Sequence, residues 1–462
     1  MSDTAPSPHG KKLFFMMVLE FFIWGAWLPL IFGYLPSLGF SPTEPPKELA
    51  GVIPGFLKIL FSEQAMILNA FPIAAIVGMF FSNQFADRNF AAEKFLAFSH
   101  LVGGIAILGL GFVHTFWPFF FLMLVHCLLY VPTNSICNSI AFANMRDPQR
   151  EFGIIRMGGT IGWILAAWPF TFILVDWAKV DAANTSGFVQ WIGVVLDSPL
   201  SGRALQDGTR WTFIVSGIAS LMLAAFSLTL PHTPPKHLGE GAGQKLAWLE
   251  ALKLLKHPFV LVLWIVTFID ATVHNSFFNW AGIFFGTPQS AGGVGIAGNW
   301  IMPVMSIGQV AEILTMFILG ATLKRFGWKT TMIFGILGHA ARFAVFAYMP
   351  HNQGFIIAIN ILHGICYAFY FATVYIFVDE YFPKDARSSA QGLFNVMVLG
   401  AGPLLANTVC PLLVQKTFKV GEVVDFKNMF LLPTYFAIGA ALLLAFCFWP
   451  PKSVKAPSEV SH

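Results

Sequence analysis

Gln309 and Glu312 stand three residues apart in a long apolar run, so a helix there places both side chains on one face. A carboxylic acid in such a setting can carry a proton and donate a hydrogen bond to a hydroxyl group, while the amide beside it both donates and accepts. Arg156, Thr160 and Trp163 recur at i, i+4 and i+7, which puts a planar donor fork, a hydroxyl and a flat aromatic face on one stripe. Gly158, Gly159 and Gly162 between them leave room for a neighbouring helix to approach closely. A third segment is polar for its hydropathic setting. It holds Asp270, Thr272, His274, Asn275, Ser276, Asn279 and Trp280. Thr272, Asn275 and Asn279 share a face; their groups suit the hydroxyls and amides of sugars and nucleobases, or else bond neighbouring helices. Glu20, Trp24 and Trp27 repeat the i, i+4, i+7 spacing, which makes Glu20 a second candidate for a proton site.

These ionisable groups matter because of what surrounds them. Of 462 residues, 56% are hydrophobic and 11% are charged, with 50 Phe and 14 Trp. Soluble domains are about 25% charged, so this much apolar material must face lipid. A charge at the middle of a membrane span costs at least ~2.5–3.5 kcal/mol on insertion scales. Glu20, Arg156, Asp270, Glu312 and Arg342 are therefore the strongest pointers to function.

The apolar runs have the length of helices that cross a ~30 Å hydrocarbon layer, which takes roughly 20 residues. Spans are expected over 12–35, 63–86, 94–113, 116–143, 152–176, 210–231, 257–286, 296–322, 328–349, 353–380, 386–414 and 428–450. The first of these is too long for a signal-peptide core and lacks a small-residue cleavage site, so it reads as a span. Residues 232–256, rich in Lys, Glu, Gly and Pro, form a polar linker between an N-terminal bundle (1–231) and a C-terminal bundle with a short tail (257–462). With the termini and the linker on one side, 17 of the 27 Lys and Arg residues fall there and 8 on the other, leaving Arg156 and Arg342 within spans. The positive-inside rule makes the richer side cytoplasmic. The turns Gln84–Asn89 and Gly320–Lys329 follow the second and eighth spans at matching places in the two halves, each with a basic residue beside its bend.

Several classes of chemistry are disfavoured. The cysteines, at 127, 137, 366, 410 and 447, form no CxxC pair and read as packing residues. His100, His126, His339 and His363 are scattered with no HExxH spacing and also read as packing or bilayer-edge residues, so neither a metal nor a cofactor is expected. There is no GxxxxGK[ST] loop for ATP and no basic–aromatic stripe for nucleic acid. A membrane enzyme would need clustered acid–base groups near a membrane face, and a sensor would need a domain to carry its signal.

The span count, central linker and paired turns resemble the major facilitator superfamily. That resemblance implies an all-α fold of twelve helices in two pseudo-symmetric six-helix bundles, with alternating access to a central cavity. The run Glu20–Trp27, Tyr130-Val-Pro-Thr133 leading into Asn138–Asn144, and Arg156-Met-Gly-Gly-Thr160-Ile-Gly-Trp163 resemble the bacterial nucleoside:H+ symporters. So do Leu230–Pro234, Gln309-Val-Ala-Glu312, Lys324–Gly327 and Arg387–Gly392. The resemblance implies a monomeric, multi-pass inner-membrane protein, both termini cytoplasmic, that moves nucleosides with protons. It implies substrate contacts at Arg156, Thr160, Trp163, Thr272, Asn275, Gln309, Glu312 and Tyr367, with proton coupling at Glu312 and Glu20. Two positions depart from the pattern. Ala368 follows Tyr367 where the family commonly has Asp, and Thr272 stands where a nucleoside-transporting relative has Gln. The alternatives are a uniporter, or a carrier of another small polar solute such as a sugar.

Overall fold

The computed structural model describes residues 7–78, 90–146, 148–235, 252–382, 387–421 and 423–450. The turn Gln84–Asn89, most of the linker and the C-terminal tail lie outside the described residues. Helices dominate, as a chain in lipid requires, since each backbone N–H and C=O then finds its partner within the segment. In chain order the principal ones are α1 (Gly10–Ser37), α2 (Glu63–Val77), α3 (Ala92–Leu110), α4 (Phe116–Asn144), α5 (Pro148–Ala167) and α6 (Trp211–Ser227). There follow α7 (Pro258–Gly286), α8 (301–326), α9 (328–348), α10 (Gln353–Tyr381), α11 (Ala390–Phe418) and α12 (Phe426–Cys447).

Among the described residues, nine helices are long and apolar enough to cross a membrane. One of the nine is a continuous run that breaks at Gly327, where φ of 75° takes the chain out of helical geometry and separates α8 from α9. Glycine is needed at that turn because an L side chain is strained in the left-handed region. The expected second and fifth spans correspond to α2 and α5.

Local sequence accounts for the helix ends and for the polar groups inside them. Ser62 caps α2 by accepting from Ala65 N, Asn352 caps α10 by accepting from Phe355 N, and Asp425 caps α12 by accepting from Asn428 N. Within the apolar layer, Thr267, Thr315 and Thr434 return their hydroxyl protons to the carbonyls of Leu263, Ala311 and Phe430, four residues back. These three hydroxyls are then satisfied within their own helices. Between α11 and α12 a two-stranded hairpin, β1 (Lys419–Val420) with β2 (Val423–Val424), turns at Gly421.

The chain divides into two compact units. One contains residues up to 237 with Ala281–Pro288 and Gly295–Ser306; the other contains 238–280 with Gln289–Val294 and the chain from 307 on. In the first, α1 and α5 touch backbone to backbone: a Cβ on Gly162 would lie 2.0 Å from Val18 O. In the second, α8 and α10 do the same, and a Cβ on Gly364 would lie 2.1 Å from Gly308 O and 2.2 Å from Glu312 N.

Candidate functional site

In the first unit, the close seating of α5 on α1 sets the direction of Arg156. Its guanidinium folds back over Gly159, where a Cβ would meet Nη1 at 2.6 Å, and stacks on the Phe21 ring at 4.2 Å. Two turns on, Trp163 presses against Gly25 and meets Trp24 edge-to-face at 5.3 Å; Trp24 in turn stacks on Phe71 at 4.8 Å. Arg156 and Thr160 are half-buried and Trp163 is buried. The expected stripe is thus a cation seated on an aromatic ring beside an aromatic wall. Such surfaces suit a planar ring with polar edges.

Glu20 sits elsewhere. It is turned into the interior of this unit, 0% exposed, toward α3 and α4. Its Oε2 lies 2.9 Å from His100 Nε2 and its Oε1 accepts from Thr133 Oγ1 at 2.7 Å, while Tyr130 OH donates to the Glu20 carbonyl at 2.7 Å. Ser220 extends the chain. It donates to His100 O and sits 3.0 Å from His100 Nδ1. Both carboxylate oxygens of Glu20 are therefore partnered.

In the second unit, Gln309 is buried and Glu312 half-buried on α8, at the crossing with α10. Gly364 lies against the Glu312 backbone nitrogen and Tyr367, half-buried, is three residues further along α10, so Tyr367 flanks the same crossing. On α7, Asn275 donates to Ala271 O at 2.8 Å. Asn279 ties α7 to α11 through Asn407 at 3.0 Å, which is the helix–helix bonding that was the alternative for this segment. Thr272 donates to Phe268 O and lines a cavity of about 190 Å³ whose walls, from α7, α11 and α12, are almost wholly apolar. The backbone of α10 carries a π-helical segment, Tyr367–Ala372, beginning at Tyr367. Such wide turns often accompany functional positions because they re-aim side chains.

The histidines read as scattered are not. His339 and His363, with Asp270, Arg342 and His274, form one interior cluster between α7, α9 and α10. The signal that was available is the spacing: Asp270 and His274 at i, i+4, and His339 and Arg342 at i, i+3, each pair on one helix face. Among the described residues no group of His, Cys, Asp and Glu is arranged to hold a metal ion.

A family model described as the nucleoside H+ symporter matches residues 9–196 and 183–453, nearly the whole chain. The chain belongs to that family. YegT of Escherichia coli (strain K12), whose name proposes a nucleoside transporter, is 31% identical over 420 residues, covering 90% of this chain and 86% of the relative. The crystal structure of the nucleoside transporter NupG superposes with a TM-score of 0.73 at 22% identity, covering 96% of this chain and all of that one. A D-xylose-proton symporter superposes with a TM-score of 0.64 at 16% identity over 97% of this chain. The family is one of multi-pass transporters rather than enzymes, and the fold is the all-helical one of major facilitators.

Proposed function

We propose that the chain carries nucleosides across the inner membrane together with protons, by alternating access, as a monomer with both termini in the cytoplasm. The observation that carries this reading is Glu312: a half-buried carboxyl group in the middle of a membrane helix, beside Gln309, at the crossing that also presents Tyr367. Amide and carboxyl groups there match ribose hydroxyls. Tyr367 offers a stacking face for a base, a contact worth ~1–3 kcal/mol per base in nucleic-acid systems. Protonation of Glu312 removes a buried charge and lowers the cost of closing the protein around its cargo. The proton's inward movement supplies ~2.3 kcal/mol per charge per 100 mV. Glu20, with both oxygens bonded inside its own unit, fits the part of a positioning group that fixes α1 against α3 and α4 better than that of a carrier.

Uptake of labelled uridine and adenosine into proteoliposomes, with and without an inward proton gradient, tests the reading. Accumulation that depends on the gradient is expected, and E312Q is expected to abolish accumulation while sparing more of the exchange of internal for external nucleoside. Transport that only equilibrates would make the protein a uniporter. Competition by free ribose but not by uridine would make it a sugar carrier.

A further inference from the structure

The aspartate expected after Tyr367 is absent, and Ala368 occupies that place with its side chain fully buried. A different carboxyl group stands inside the same unit. Asp270 on α7 is 0% exposed, and among the described residues neither of its oxygens has a hydrogen-bond partner. The nearest donor is His339 Nε2 at 3.7 Å from Oδ2, beyond hydrogen-bond reach. Glu20 shows how this chain treats a structural carboxylate, with a donor on each oxygen. Asp270 is the opposite case, and a permanently ionised group in that position would lack the bonds that make buried charge tolerable.

The surroundings of Asp270 are nonetheless polar in a specific order. Arg342 on α9, also 0% exposed, directs Nη1 at His363 Nδ1 (2.7 Å) and Nη2 at His339 Nδ1 (3.3 Å). A guanidinium only donates, so both Nδ1 atoms accept, both imidazoles are neutral, and each carries its proton on Nε2. The His339 Nε2–H therefore points along the line from Arg342 toward Asp270. The guanidinium lies over the rings of Phe277 and Phe343, at 4.2 and 5.0 Å from their centroids. His274, one turn along α7 from Asp270, stacks on His363 at 4.5 Å. The remaining titratable groups facing Asp270 are Cys366 and Tyr370 of α10, and the Tyr370 hydroxyl is engaged with Thr267 at 2.9 Å. His363 lies directly on Gly308, one turn before Glu312. The line Asp270–His339–Arg342–His363 thus ends at the helix that bears the candidate substrate groups.

We propose that Asp270 is a proton-binding carboxylate of the transport cycle, additional to Glu312, with Arg342 as its fixed counter-charge and His339 as the bridge between them. This rests on the proton-coupled reading above. With the proton bound, Asp270 is neutral and needs no donor, which is the arrangement seen. Without it, the negative charge draws His339 Nε2–H and Arg342 toward α7, and that pull reaches His363 and the α8–α10 crossing. The step moves one proton between Asp270 and water, and no bond other than O–H forms or breaks.

Two measurements on purified full-length protein test it. In proteoliposomes, D270N is expected to lose gradient-driven uridine accumulation, by about 50-fold where one proton works against 100 mV, while exchange falls far less. D270E is expected to restore part of the accumulation. Independently of transport, potentiometric titration in detergent is expected to find one proton fewer bound by D270N than by wild type across the acid-to-alkaline range. Wild-type accumulation by D270N, or an identical proton count, overturns the proposal. If wild type itself shows no proton-dependent accumulation, the symport reading fails, and the titration alone decides whether Asp270 binds a proton. Should D270N not fold, D270E decides, since moving the carboxyl group must shift the titration curve along the pH axis; an unshifted curve overturns the site.

Discussion

Replacing Gly364 by Ala tests whether the α8–α10 contact sets the working geometry of Glu312. The added Cβ would lie 2.1 Å from Gly308 O, 2.2 Å from Glu312 N and 2.8 Å from Ala311 C, against a floor near 3.0 Å for real contacts. All three obstacles are backbone, so no side chain can rotate away. The helices must part by ~0.9 Å, the difference between 2.1 and 3.0 Å, at an overpacking cost of ~1–3 kcal/mol. The displacement falls on the residue that holds the carboxyl group. In precisely positioned sites, a shift of about 1 Å can cost ~100-fold in rate. G364A should therefore lower the melting temperature in detergent modestly and lower nucleoside uptake far more. The control is G439A on α12, where a Cβ meets nothing within 4 Å, and which should change neither. A G364A protein that transports like wild type would refute the argument that this crossing positions Glu312. One that is merely destabilised, with uptake falling only in proportion to folded protein, would refute it as well.

Further tests are more local. T133V removes the hydroxyl donor to Glu20 Oε1, so it should destabilise the protein by ~1–3 kcal/mol in thermal or denaturant unfolding; an unchanged unfolding curve would show that the Glu20 cluster does not lock α1 in place. The orientation can be read by cysteine labelling in a C447S background, since Cys447 is exposed and the other four cysteines are buried. A cysteine at Val52, which is 78% exposed, should react with an impermeant reagent outside the cell, and one at Lys324 only after the membrane is opened. The reverse pattern would place the termini outside.

Much of the fold was legible because the bilayer imposes one strong rule, and a long apolar run obeys it wherever it occurs. Gly158, Gly159 and Gly162 told that a neighbouring helix comes close to α5, but not that the neighbour is α1. Gln309 and Glu312 were legible as polar exceptions and Tyr367 only through the family resemblance; the three lie at or beside a single crossing. Glu20 was legible as buried but not in its direction. Its i, i+4, i+7 relation to Trp24 and Trp27 says which residues share a face, and nothing in it says that the carboxylate turns toward His100 and Thr133 on α3 and α4. Thr272 illustrates the same limit, since its helix position did not reveal an apolar cavity. The Asp270–Arg342–His363 cluster was hidden because its members come from three helices far apart in sequence. Asp270 and Arg342 stood out singly as charges within spans, but the histidines passed for packing residues and nothing in the sequence joined them.

The burial of Arg342 has a consequence for how the chain enters the membrane during synthesis. An arginine at mid-span makes α9 a poor substrate for insertion by itself, by ~2.5–3.5 kcal/mol on biological scales. Chain order eases that step. Phe277 belongs to α7, which is made first, so a ring to stack on already lies in the bilayer when the arginine arrives. His363, on α10, comes last and accepts a hydrogen bond from the guanidinium. The partners that make a buried arginine tolerable in the folded protein are thus the ones that chain order supplies before and just after α9 enters the bilayer.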